Sequence, residues 1–226
     1  MDVHTVQAVL VDVIKRRAIR TLHETRRGEA ALLRGYLWGE RGAESAVVGE
    51  ILDAGAPEWL ADDLRRHLAD EHRHADVLAA RLAEMGSPDV PDAPAGPLVR
   101  RKKRQLEEIV ASFADRFRAG RLVPLLAIAA RFEATAVRVL ERHLSVLSSQ
   151  GGRTERTADV LHSIVRDERR HVAHCERALH RLVDPQEGPE LAELQARIAH
   201  VDRSLGIAGA VGLLALGQVY RFAEPS

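Results

Sequence analysis

Two short stretches of the 226-residue chain share one chemical pattern: Asp70-Glu71-His72-Arg73-His74 and Asp167-Glu168-Arg169-Arg170-His171. Residues three apart on an α-helix lie on one face, so Glu71 with His74, and Glu168 with His171, can each aim a carboxylate and an imidazole at one point. Carboxylate oxygen beside imidazole nitrogen is a donor set suited to a divalent transition metal such as iron or manganese. One such pair says little, because Glu and His are common on solvated helix faces. Two pairs raise the question of what stands opposite them.

In an antiparallel helical hairpin, residues equally far from the turn share a height. Reflecting Glu168 through a turn at Gln150-Gly151 gives Glu133, and reflecting Glu71 through a turn at Gly55-Ala56 gives Glu40. Both partners sit among apolar residues at helical spacing: Leu33, Leu37, Val47 and Ile51 around Glu40, and Leu126, Ala129, Val137 and Leu140 around Glu133. That spacing puts both on core-facing stripes. Four carboxylates and two imidazoles inside a bundle cannot stay bare, since each uncompensated buried charge costs several kcal/mol. Two divalent ions would balance four glutamates and neutral histidines. The expected metal ligands are Glu40, Glu71, His74, Glu133, Glu168 and His171, holding two Fe ions, with Mn left open.

Other residues bear on this set. Glu29 and Glu44 share a helix face with Glu40, but 11 residues at 1.5 Å each put Glu29 about 16 Å from the plane of Glu71. Glu44, one turn away, is expected to bridge or to support the ligands. His67, one turn before Glu71, is an extra imidazole beside the site. A metal-bound His usually donates its other N–H to a carboxylate. Asp167 is therefore expected to accept from His74, and Asp70 from His171, each across to the opposite helix. Cys175 reads as an inert packed thiol.

The elements that must position these residues are helices. Ala, Leu, Arg and Glu dominate, aromatics make up 4%, and no alternating β-branched stretch occurs. Between Gly and Pro punctuation the expected helices cover 3–20, 26–54, a segment reaching Met85, 98–118, 121–149, 154–183 and 189–203. The domain reading is a helical extension over 1–25, a four-helix bundle over 26–183 with its crossover at 86–120, and a C-terminal helix with an apolar tail over 184–226. Lys+Arg and Asp+Glu are both 33, which argues against a nucleic-acid partner. A single cysteine excludes an internal disulfide and multi-thiolate metal sites. The N-terminal residues read as no export signal, so the expected location is cytoplasmic, with a peripheral membrane position left open. The uncharged run Leu205–Tyr220 is 16 residues, short of the ~20 needed for a span. It is expected to dock on the bundle and help exclude water from the site, with pairing to another subunit, as in a homodimer, kept open.

Over residues 26–183 the chain resembles the ferritin-like di-metal carboxylate superfamily, on Glu40, Glu71-x-x-His74, Glu133 and Glu168-x-x-His171 and on the single long crossover. The resemblance implies an all-α, ferritin-like four-helix bundle with additional terminal helices. Gly28-Glu29 followed by Tyr36 is similar to the Glu-x6-Tyr element of rubrerythrins and demethoxyubiquinone hydroxylases, which would make Glu29 the ligand in place of Glu40 and marks Tyr36 as a candidate catalytic residue. Arylamine oxygenases of the superfamily resemble His67 in carrying an extra His one turn before an ExxH Glu. The implied activity is that of a di-iron oxidoreductase using O2 and an external electron donor to oxidise or hydroxylate a small organic substrate. The alternatives are a ferroxidase or iron-handling protein and a non-enzymatic helical partner-binding module.

Overall fold

A computed structural model describes residues 3–87, 96–149 and 155–223; at 3–5, 43, 44, 205 and 223 it describes the backbone alone. Among the described residues every regular element is helical. The helices are α1 (Val3–Leu22), α2 (Arg26–Gly39), α3 (Ser45–Asp53), α4 (Glu58–Glu84), α5 (Pro97–Phe113), α6 (Leu122–Leu147), α7 (Glu155–Leu182) and α8 (Gly188–Ala223). The Pro-rich stretch 88–95 and the α6–α7 turn at 150–154 lie outside the described residues.

Four helical segments close a ring: α2 and α3 pack on α4, α4 on α7, α7 on α6, and α6 back on α3. Gly55, at φ 83°, makes the α3–α4 turn in a conformation that an L side chain resists. The interior is layered. Val48, Ile51, Leu60, Leu64, Leu126 and Leu179 belong to one buried apolar cluster, and Leu33, Leu37, Leu78, Leu82, Leu140 and Ile164 to another. The levels of Glu40, Glu71, Glu133 and Glu168 fall between these two clusters.

Three features differ from the sequence expectation. The 26–54 helix is broken by a π turn, Glu40–Glu44. Gly39 and Gly42 flank or occupy it, each costing about 1 kcal/mol of helix propensity against Ala, which makes a local departure from α geometry cheap. The Ser45 hydroxyl donates to the Glu40 carbonyl at 2.7 Å. The C-terminal segment is one continuous helix of 36 residues rather than a short helix with an interrupted tail. By length and composition it could cross a membrane. Finally, its second half does not cover the bundle interior. It runs parallel to α1, with Gln7 Nε2 donating to the Arg203 carbonyl at 3.2 Å and Gly217 against Thr21. Leu213 and Tyr220 pack on Ile19, Leu22 and Val146, on the outer side of α6.

Candidate metal centre

Between the two apolar clusters lie seven buried side chains that could bind metal: Glu40 from the π turn, His67, Glu71 and His74 from α4, Glu133 from α6, and Glu168 and His171 from α7. They form two groups. In one, His67, Glu71, Glu133 and His171 each offer a donor atom within 4.8 Å of the others; in the second, Glu40, Glu71, His74 and Glu168 do the same. Glu71 belongs to both groups, so it is the carboxylate that two ions would share.

The π turn explains how Glu40 reaches this layer while α2 and α3 keep their own apolar faces inward. One extra residue in the turn rotates α3 relative to α2, and single π turns recur at functional sites. On α4, His67, Glu71 and His74 are spaced by four and three residues and so share a face.

Orientation of the imidazoles is decisive. His74 Nδ1 lies 3.1 Å from Glu168 and 3.3 Å from Glu40, while its Nε2 is 3.3 Å from Asp167. His171 Nδ1 lies 3.4 Å from Glu71 and 3.6 Å from Glu168, while its Nε2 is 3.2 Å from Asp70. In both, Nε2–H donates to an aspartate on the facing helix, so a neutral ring would turn its Nδ1 lone pair into the cluster. Each aspartate is held in turn by two arginines. Arg73 reaches Asp70 and, at 2.6 Å, Asp167; Arg170 reaches Asp70 at 2.5 Å and Asp167 at 3.0 Å. Burial works against the charge on Asp70, but bonds from Arg73, His171 and Arg170 prevail and hold it near 2.

Within the cluster the electrostatics are unbalanced. Both oxygens of Glu71, Glu133 and Glu168, together with His171 Nδ1, are buried without a hydrogen-bond partner. Their short N···O approaches lack hydrogen-bond geometry. Native interiors leave few such atoms, and charged ones are the costliest. Without metal, protons must serve. Burial pushes Glu40 up to about 8 and Glu133 up to about 7. Burial opposes charge on the imidazoles, but their carboxylate partners outweigh it, raising His74 to about 10 and His171 to about 9. Two divalent cations would replace those protons, neutralise four carboxylates and occupy every orphaned oxygen, so the residues present fit a dinuclear site.

His67 was expected beside the ligands and instead stands among them. Its Nε2 is 3.2 Å from Glu133 and 3.3 Å from Glu71, and its ring stacks on that of His171 with centroids 3.7 Å apart. The neighbouring Cys175 thiol and the Glu133 and Glu71 carboxylates outweigh burial and push it up to about 12. Its spacing, four residues before Glu71, was the available signal. Arg73 and Arg170 escaped notice although both motifs carry an arginine beside the histidine or one turn from the aspartate.

Two expectations need correction. Glu29, the alternative to Glu40, is not among the grouped side chains; it accepts from the Thr157 hydroxyl at 2.5 Å and lies 3.5 Å from Arg81. Tyr36 is not directed at the cluster. Its hydroxyl meets His143 Nδ1 at 2.9 Å, ten residues and so about 15 Å along α6 from Glu133. The Glu44 side chain lies outside the described residues.

An apolar cavity of about 600 Å³ lies between the π turn, α3, α5 and α6, bordered by Trp38, Gly42, Ala46, Val110, Leu125 and Phe132. Trp38 and Gly42 bracket Glu40 in sequence, and Phe132 precedes Glu133. Comparison with protein families, curated proteins and solved structures finds no match for this chain.

Proposed function

We propose that the protein is a ferritin-like di-iron carboxylate oxidoreductase that uses O2 to oxidise a small organic molecule. The observation that carries this reading is the set of four buried carboxylates, three of them with both oxygens orphaned, in two groups sharing Glu71. They are fed by ExxH pairs on two helices and single glutamates on two other segments. That ligand distribution is the one built into the cores of ferritin-like di-iron and di-manganese proteins.

When bound, two such ions supply one-electron couples that can act together on O2. The chain's own residues do the rest. Glu71 ties the two groups together, and His67, His74 and His171 bring neutral nitrogen donors that keep the site's charge near balance. Asp70 and Asp167, themselves locked by Arg73 and Arg170, fix the tautomer of His171 and His74. The two apolar layers exclude water from the polar level. The cavity between the π turn, α3, α5 and α6 supports an apolar organic substrate over iron alone, because pockets for organic ligands are concave and largely apolar.

The test is metal content of protein loaded anaerobically with Fe(II), followed by a single exposure to O2. About two ions per chain and O2 consumption in proportion to bound iron are expected. O2 consumption that continues with added Fe(II), far past that stoichiometry, would assign iron itself as the substrate.

A further inference from the structure

We propose that α1, the N-terminal half of α5 and the C-terminal half of α8 together form a docking face for an anionic phospholipid bilayer. Every large apolar side chain that stands exposed among the described residues belongs to one of three stretches: 6–13 of α1, 98–99 of α5 and 207–222 of α8. The ring that holds the metal ligands contributes none. On α8 the exposed residues Ile207, Val211, Leu216, Val219 and Phe222 recur at three- to five-residue steps and form one stripe, in which Phe222 is 84% exposed. Residues 204–220 carry no charge at all.

The three stretches converge. Lys102 near the start of α5 pairs with Asp202 at 2.8 Å, and Gln7 near the start of α1 donates to the carbonyl of the next residue, Arg203. The first turns of α5 and α1, which carry Leu98, Val99, Val6 and Val9, therefore reach α8 where it changes from charged to apolar, one to two turns before its own exposed apolar residues begin at Ile207.

Charge selects the occupant. The chain is neutral overall, but Arg100–Arg104 is an unbroken run of five cations, α1 carries Lys15, Arg16, Arg17 and Arg20 against Asp12, and residues 203–223 contain two arginines and no acid. Lys103 and Arg104 are 75% and 71% exposed, and their partners Glu107 and Glu108 are 3.8 Å away, separations at which exposed pairs contribute little. An apolar face rimmed by cations suits lipid headgroups of opposite sign. A second copy of the same face would bring like charges together. Nor is α8 free to stand across the bilayer, because its opposite side is fastened to α1 and α6 through Leu213, Tyr220 and Gly217. The helix lies in the plane of the interface.

The experiment is sedimentation of the full-length protein with vesicles of phosphatidylglycerol and phosphatidylcholine in equal parts, and with phosphatidylcholine alone. Binding is expected to the mixed vesicles and to weaken with salt. The combined Arg101→Glu, Lys103→Glu, Arg104→Glu variant should partition at least about 100-fold less, since each cation near such a surface contributes about a fivefold factor. Val211→Ser, Val219→Ser and Phe222→Ser together should reduce partitioning by at least about tenfold through lost apolar insertion. These side chains lie outside the core, so thermal melting and metal content should match the parent protein. Equal binding to both vesicle types, or none, overturns the proposal. Retention after alkaline carbonate washing would assign a spanning helix, and a dimer dissolved by the serine variant without vesicle binding would assign the face to a second copy; either outcome also overturns it.

Discussion

The molecule buries polar side chains at two levels along α6, and the two behave in opposite ways. At Glu133 four carboxylates and three imidazoles crowd together with oxygens left unsatisfied. At His143, about 15 Å further along, the groups complete one another. The Tyr36 hydroxyl meets His143 Nδ1, and His143 Nε2 meets His23 Nε2. Burial lowers His143 well below its ordinary value and raises Tyr36, so imidazole and phenol both stay neutral. A phenol and an imidazole held neutral and bonded to each other need no ion between them. Burial of titratable side chains is therefore not itself the mark of a ligand site; the mark is charge that the protein's own groups cannot balance.

The largest effect that tests this contrast is the loss of the shared ligand. Glu71→Ala should take metal content from about two ions per chain to below one, because both groups use this carboxylate. His143→Phe, at the neutral level, should leave metal content unchanged. Retention of both ions by Glu71→Ala, measured by elemental analysis, would dissolve the distinction between the two levels.

The second effect is on pH dependence. In the metal-free protein Glu133 and Glu40 sit near 7 and 8 against an ordinary 4.5, and His171 and His74 near 9 and 10 against 6.5. The folded state therefore binds more protons than the unfolded chain between about pH 5 and about pH 10, so apoprotein stability falls as pH rises through that range. Metal must displace those protons, and its affinity rises over the same interval. The gap in Tm between loaded and chelator-treated protein should widen steadily from acid to alkaline pH. A gap independent of pH would show that no proton leaves when metal binds. His143 should add nothing to this dependence above about pH 6.5, the ordinary histidine value, since its imidazole is already neutral.

These particular residues also show what a sequence can and cannot convey. Glu40 and Glu133 were legible because a helical hairpin preserves height, and Gly55 marks the fold point of one such hairpin. The partnership of Asp70 with His171, and of Asp167 with His74, came from the need of an imidazole ligand for a second acceptor. The π turn was not legible, since Gly39 and Gly42 permit it without requiring it. Tyr36 misled because it rested on the resemblance to a Glu-x6-Tyr element. Long side chains on a helix lean toward its N-terminus, so a tyrosine one turn before Glu40 points away from the metal level and toward His143. The length of α8 was hidden by its glycines, whose low intrinsic propensity is overcome by packing along α1.

Removing the support of a ligand should cost less than removing a ligand. Asp70→Asn keeps an oxygen for His171 Nε2–H but discards the charge that Arg73 and Arg170 hold. Metal affinity or turnover should fall roughly 10- to 100-fold. Metal affinity measured by competition with a chelator checks this, and an unchanged value would return Asp70 to the surface.

The smallest effect belongs to Glu29, a third kind of buried acid. It is as buried as Glu40, with 4% of its surface exposed in each case, yet it is fully provided for. Thr157 donates to it at 2.5 Å, Arg81 lies 3.5 Å away, and Arg81 Nε also donates to the Thr157 hydroxyl at 3.0 Å. This triangle joins α2, α4 and the first turn of α7, well away from the metal level. Glu29→Gln retains the acceptor for Thr157 and loses only the charge facing Arg81, so stability should drop by about 1 kcal/mol, read as a shift in the urea midpoint with unchanged slope. Metal content should stay at its parent value. A Glu29→Gln protein that folds with normal stability but loses an ion would transfer the ligand role from Glu40 to Glu29, and with it the rule that unbalanced charge, rather than burial, identifies the site.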